Sequence, residues 1–295
     1  MMNISSFSLL LLAVLHTGQF VFADKPAYRL FDEKGKEVKY ADMLQKAATA
    51  DVVLFGEMHN NPICHWLQYE LMRDIFESRQ QYLAAGAEMF ETDNQLLLDE
   101  YLSGLIRQRN FEAEAKLWPN YETDYKPLIE FAKENAIPFI ATNVPRRYAA
   151  MVNTGGFEAL DALQPEALRY IAPLPIAFDP ELSQYRKMLE MMKGGMLGTH
   201  GGINTVKAQA LKDATMAYFI LKNLTEGKTF LHFNGTFHSD RFEGIMWYLL
   251  QARPELRVVT ISSVESEHED LKLTDDQMGS AHFILSIPAT MTKTH

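Results

Sequence analysis

The chain has 295 residues, 47% of them hydrophobic and 11% aromatic, which is enough to bury a sizeable core and excludes a disordered chain. A net charge of −10 argues against a nucleic-acid partner and against docking on anionic lipid. The one cysteine, Cys64, rules out an intrachain disulfide, so the fold must stand on its core.

Met1 to Ala23 holds no charged side chain and contains the apolar run Phe7 to Leu15, ending in Val21-Phe22-Ala23 before Asp24. It reads as a cleaved secretory signal peptide, which predicts an exported mature chain, residues 24–295, forming one α/β domain. A membrane anchor is the rival reading, but His16, Gly18 and Gln19 interrupt a run that would need about 20 apolar residues to span. The absence of a cysteine near the signal points to a form that is not a lipoprotein.

Asp51 to Phe55 is a short apolar run ending in Gly56. Asn61 as N-cap and Pro62 at the first helical position then open an amphipathic helix with apolar residues at Ile63, Trp66, Leu67, Leu71 and Ile75. The pattern recurs: Tyr82 to Ala87 runs into Glu88 and a helix from about Asn94, and Ile137 to Thr142 runs into Asn143 and another helix. Between about Arg146 and Thr205 the strand signal vanishes among Pro173, Pro175, Pro180 and several glycines, which predicts an inserted helical subdomain rich in methionine. A helix from about Asn204 sets Gln209 and Asp213 on the same face as Met216 and Ile220, a face that turns toward protein. Beyond it, Thr229 to Phe233 leads through Gly235 to a helix near Asp240, with Asp240 and Glu243 spaced as a capping box, and Arg257 to Ile261 and His282 to Ile287 complete the strands. Strand and helix alternating in this way predict an α/β fold with a mostly parallel sheet flanked by helices.

Ligands of open parallel sheets bind beyond the carboxyl ends of the strands. Glu57, His59, Glu88, Asn143 and His238 all fall there, and the turns Gly56-Glu57-Met58-His59 and Gly235-Thr236-Phe237-His238 repeat one Gly-x-x-His spacing. Each residue alone is as well explained by a helix cap or a core histidine. Together they place several titratable groups in one crevice, the situation that marks functional sites. The donor set Glu57, His59, Glu88 and His238 suits a divalent metal with one position open for water, although no compact His-Glu-x-x-His motif is present.

Glu57-Met-His-Asn-Asn-Pro62 with His65 and Gln68, Glu88-Met-Phe90, Asn143-x-Pro145-Arg146, Gln209-x-x-Lys212-Asp213-x-x-Met216-Ala217 and Gly235-x-x-His238 occur in order from about Asp51 to Tyr248. This set resembles the ChaN-like haem-binding, iron-regulated proteins, related to the TIKI/TraB and erythromycin-esterase group. The resemblance implies an α/β core with a helical subdomain, export, and haem bound between the subunits of a homodimer. It also implies an outer-membrane haem receptor system as partner in bacterial iron acquisition. Several members are lipoproteins, and the missing lipid-acceptor cysteine makes a soluble periplasmic form the expectation here.

Haem needs an axial ligand, an apolar slot and cations for its propionates. The insert offers Tyr185 or His200 as ligand, with Tyr170 and Tyr148 as further tyrosines, Met188, Leu189, Met192, Met196 and Leu197 as slot, and Arg186, Lys187 or Lys193 for the carboxylates. Methionines at helical spacing are also ordinary core packing. The reading is therefore an exported haem-binding protein rather than an enzyme. A metal-dependent hydrolase built on the strand-end cluster is the alternative, and a non-catalytic interaction module the third.

Overall fold

The computed structural model describes residues 24–79, 82–193 and 202–295. Its strands are β1 (Arg29–Asp32), β2 (Glu37–Val38), β3 (Val52–Glu57), β4 (Leu83–Glu91), β5 (Phe139–Asn143), β6 (Thr229–Gly235), β7 (Val258–Ser266) and β8 (Phe283–Pro288). The helices are α1 (Tyr40–Thr49), α2 (Pro62–Arg79), α3 (Gln95–Leu102), α4 (Gln108–Glu114), α5 (Lys126–Glu134), α6 (Arg146–Gly155), α7 (Pro165–Leu168), α8 (Ser183–Lys193), α9 (Ile203–Asn223) and α10 (Ile245–Ala252). All the strands join one sheet in the order β2-β1-β8-β7-β3-β6-β4-β5. From β8 to β5 every neighbouring pair is parallel, and only the β1–β2 and β1–β8 pairs are antiparallel.

Period-2 alternation within the strands feeds two cores. On β3, Val53 and Phe55 turn to one face, with Leu67, Leu71 and Ile75 of α2 and Leu128 and Ile129 of α5. Val52 and Leu54 turn to the other face, with Met216, Ala217 and Ile220 of α9 and Ile245 and Leu249 of α10. Both faces are covered, which is why β3, β4 and β6 are buried at every position and read in sequence as continuous apolar runs.

The six parallel strands lie where the sequence predicts them, and α2 begins as expected, with the Asn61 side chain accepting from the Ile63 N–H at 3.0 Å. The β1–β2 hairpin has no counterpart in the sequence reading, because it is short and rests on an edge. Among the described residues from 146 to 193 there are helices and turns and no strand.

The capping box at Asp240 is corrected. Asp240–Phe242 is a 3₁₀ turn, with Arg241 at φ +56°, and α10 starts only at Ile245. Asp240 accepts from the Ser262 hydroxyl at 2.6 Å. Glu243 instead caps α8, accepting from the backbone N–H of Ser183 at 2.9 Å and of Gln184 at 2.8 Å. A carboxylate there also matches the positive end of the helix dipole.

Candidate functional site

The carboxyl ends of β3, β4 and β6 bring two polar clusters against one another. Parallel pairing sets Glu57 beside Gly235, the last residue of β6. Two glycines permit the close approach. A Cβ on Gly56 would lie 3.0 Å from the Ile261 carbonyl, and a Cβ on Gly235 would lie 2.7 Å from His59 Nε2 and 3.5 Å from Glu88 Oε2. His59 and Glu88 thus flank a single point that only glycine leaves open, and Glu57, His59, Glu88 and His238 lie near one another at the carboxyl ends of neighbouring strands.

The first cluster centres on Glu57, which is 1% exposed. Its Oε1 accepts from the Tyr125 hydroxyl at 2.7 Å and lies 2.8 Å from His59 Nδ1, while Oε2 accepts from Gln68 Nε2 at 2.5 Å. His65 stands between Glu57, at 3.5 Å, and Asp124, at 3.2 Å. Asp124 also accepts from the Asn120 amide at 2.6 Å and the Thr294 hydroxyl at 2.8 Å.

The second cluster repeats the arrangement around His238. Its Nε2 lies 3.1 Å from Glu88 Oε1, and its Nδ1 bonds Asp213 on α9. Asp213 accepts from the Tyr185 hydroxyl of α8 at 2.8 Å, Gln209 Nε2 lies 3.0 Å from His238 Nδ1, and the Gly235 N–H donates to Glu88 at 2.8 Å. Gln209 and Asp213 therefore face the crevice histidine, as their place on an apolar helix face implied; the alternative of pairing with a surface lysine is not what the fold makes of Asp213.

These pairings set the charges. Burial alone would push His238 down, but the carboxylates of Glu88 and Asp213 outweigh it and raise the imidazole to about 9. Burial opposes ionisation of Glu88 too, yet the charged His238 holds its carboxyl well below the usual range. One imidazolium cannot relieve two buried carboxylates equally, and Asp213, the more deeply enclosed, is pushed up by its burial. His59 is raised as well: desolvation acts against it, and the bond to Glu57 with the charges of Glu88 and Glu57 prevails.

Several predicted ligands stand differently. Among the described residues no three His, Cys, Asp or Glu side chains are grouped to hold a metal ion. Glu57, Glu88, His238 and the Nδ1 of His59 are engaged with one another and with neighbouring donors rather than converging on an empty centre. Tyr185, expected to stand open to a porphyrin, is 1% exposed, with its hydroxyl turned inward to Asp213. Burial and that carboxylate push its phenol well above the ordinary value, away from the phenolate that iron prefers. Arg186, the next residue, faces outward at 57% side-chain exposure. His200 lies outside the described residues. Sequence reasoning missed Asp124 and Tyr125, which sit in a π-helical turn, Tyr121–Tyr125, rather than after a strand, and Asn120, which precedes that turn; the available signal was an Asp-Tyr pair in a stretch bounded by Pro119 and Pro127.

Fold and site together define a parallel-sheet α/β protein with a polar crevice at the carboxyl ends of its central strands. Residues 43–249 match the family of haem-binding uptake proteins of the Tiki superfamily, ChaN, and the chain belongs to that family. Among solved structures it is similar to ChaN of Campylobacter jejuni, a protein of cofacial haem binding, with a TM-score of 0.66 and 16% identity over 88% of this chain and 96% of that one. A variant of the erythromycin esterase EreC aligns at a TM-score of 0.45 and 11% identity, over 81% of this chain and 77% of the other. In sequence the chain is 24% identical over 194 residues to protein RETICULATA-RELATED 5, chloroplastic, of Arabidopsis thaliana, of whose length it spans 26%.

Proposed function

We propose that the protein is an exported haem-binding protein that acts in bacterial haem handling, and that it binds haem as a homodimer. The observation that carries this reading is the family match over residues 43–249. The cofacial haem binding of the Campylobacter protein, whose fold this chain shares, supports haem as the ligand. Export is supported by the apolar leader ending at Ala23.

The exposed side of α8 fits the group. Arg186 and Lys187 are exposed, Arg186 with Glu181 at 3.9 Å, so both cations can be reached by propionates. Half-buried Met188 and Leu189 supply apolar surface beside them, and Lys187 Nζ lies 5.7 Å from the centre of the half-buried Phe237 ring. The crevice does not fit, because Glu57, Glu88 and Asp213 would repel a propionate and their polar atoms are already engaged. Haem, when bound, supplies a ferric iron as cargo. The chain's own part is to hold its carboxylates with Arg186 and Lys187 and to shield one porphyrin edge. With Tyr185 committed to Asp213, His200 and the half-buried Tyr170 are the ligands proposed from that segment.

Hemin titration followed at the Soret band, with sedimentation velocity on the same samples, tests the reading. The expected outcome is saturable binding at fixed stoichiometry with a shift toward dimer, weakened several-fold in Arg186→Ala and spectrally altered in His200→Ala or Tyr170→Phe. A spectrum indistinguishable from free hemin at all protein concentrations would refute it.

A further inference from the structure

Glu91, Thr92 and Asp93, where β4 runs into α3, gather cations from three other parts of the chain. Glu91 accepts from Arg146 Nε at 2.7 Å and from Lys116 Nζ at 3.2 Å, and Asp93 accepts from Arg147 at 2.5 Å and Lys116 at 2.9 Å. Thr92 donates to the Tyr170 carbonyl at 2.7 Å, which seats Arg169 beside them. The acids lie inside and the cations outside: the Glu91 side chain is 6% exposed and that of Arg146 is 72% exposed. Lys116, Arg146, Arg147 and Arg169, all exposed, thus stand over two covered carboxylates, on a chain whose net charge is −10.

The arginines are held in place before any partner arrives. Arg147 and Arg169 each donate to the hydroxyl of the following tyrosine, Tyr148 at 3.1 Å and Tyr170 at 2.5 Å, and their guanidinium carbons lie 4.4 and 4.7 Å from the ring centres. Arg146 is fixed through Nε, which leaves its two terminal nitrogens without a hydrogen bond among the described residues. Side chains ordered in advance lose little entropy on docking. Three of the four cations are arginine, the one enriched at protein interfaces, where lysine is depleted. Leu96, 72% exposed on the first turn of α3, and exposed Leu168, next to Arg169, add apolar surface on either side.

We propose that this face docks a partner protein through a short acidic segment that also carries apolar side chains. Its carboxylates meet Arg146, Arg147, Arg169 and Lys116, and its apolar side chains meet Leu96 and Leu168. A nucleic acid or an anionic membrane fits less well, because either presents an extended negative surface that the rest of an acidic chain repels. A short segment meets only the charges within a Debye length of about 10 Å, and those are the cations. The face shares no cation with the α8 surface proposed for haem, so the two readings fail separately.

The test is fluorescence anisotropy of the full chain with a labelled peptide that alternates Asp-Glu pairs with leucine, against a control peptide with Asn and Gln in place of the acids. The acidic peptide should bind saturably and weaken about tenfold or more between about 0.1 and about 1 M salt, where the Debye length falls from about 10 to about 3 Å. The control should bind weakly at both. Arg146→Glu and Arg169→Glu should each cost about tenfold or more, the effect of a hot-spot residue, and Leu96→Ser a smaller loss that salt does not change. Arg253→Glu, the same charge change at the amino ends of the strands, should leave peptide binding unchanged. If Arg146→Glu fails to fold, Arg169→Glu and Leu96→Ser, which leave Glu91 its partners, decide the point. Equal affinity for the two peptides, or wild-type affinity in folded Arg169→Glu, would overturn the proposal. So would tighter binding to phosphatidylglycerol vesicles than to the peptide, or a self-association of the chain that Arg169→Glu abolishes, which would make the occupant a membrane or a second copy.

Discussion

Buried between Glu88 and Asp213, His238 should make the stability of the fold depend on pH in a definite direction. Its side chain is 5% exposed and its imidazole is raised from 6.5 to about 9. Below pH 6.5 the unfolded chain is protonated at this residue as well, and the full stabilisation is present. Between 6.5 and 9 the unfolded chain has released the proton while the folded chain still holds it, so stability falls, and above 9 the contribution is gone. At about 1.4 kcal/mol for each pH unit between the two values, the loss comes to about 3 kcal/mol, a large share of the 5–15 kcal/mol typical of a domain. His59, raised in the same sense but partly exposed, adds a smaller decline as the pH rises above the ordinary histidine value. Urea unfolding at intervals from pH 6 to 9.5 measures it. The wild type should lose stability steadily, and His238→Asn, less stable at pH 6, should lose much less across the range. A flat wild-type profile, or an undiminished slope in His238→Asn, would refute the assigned charge.

Two further substitutions probe the geometry. Gly235→Ala should push His59 away from its bond with Glu57, since the new methyl would lie 2.7 Å from Nε2; histidine NMR shifts should report the displaced ring, with a stability loss of about 1–3 kcal/mol. Tyr185→Phe should cost about 1–3 kcal/mol by removing a donor from buried Asp213, and should leave the Soret band of hemin-treated protein unchanged; an altered band would return Tyr185 to the iron.

What the sequence revealed and what it hid divide along physical lines. Strand-end residues were legible because a buried parallel strand is a continuous apolar run, and the first polar residue after it must lie at the sheet's rim: Glu57 and Glu88 follow from that alone, and His238 from the Gly-x-x-His spacing it shares with His59. Asp213 and Gln209 were legible because polar residues on an apolar helix face need an internal partner, and the histidine they meet was among the few candidates. Tyr125 and Asp124 were not, since nothing local to residues 120–125 says which distant carboxylate or imidazole they will reach. Tyr185 misled for a related reason. Helical spacing fixes its neighbours on α8 but not which way the helix is rolled, and that is settled by Glu243, 58 positions on in the chain, capping the first turn. The β1–β2 edge hairpin escaped because two short half-exposed strands carry too little alternation to stand out.

That roll of α8 also gives one small protein two faces of opposite character. Tyr185 and Arg186 are consecutive residues, and successive positions on a helix point about 100° apart. The first is drawn inward by Asp213 and the second is left on the surface as a cation 3.9 Å from Glu181. Inside, fixed carboxylates and imidazoles form a crevice that rejects anions. Outside, the cations and half-buried methionine of α8 form a surface suited to a dianionic, largely apolar ligand. On the proposed haem reading, separation by a single helix would keep propionates from the carboxylates that would repel them. It also ties the two faces mechanically, because any ligand that draws α8 outward must do so against the Tyr185–Asp213 bond that positions His238.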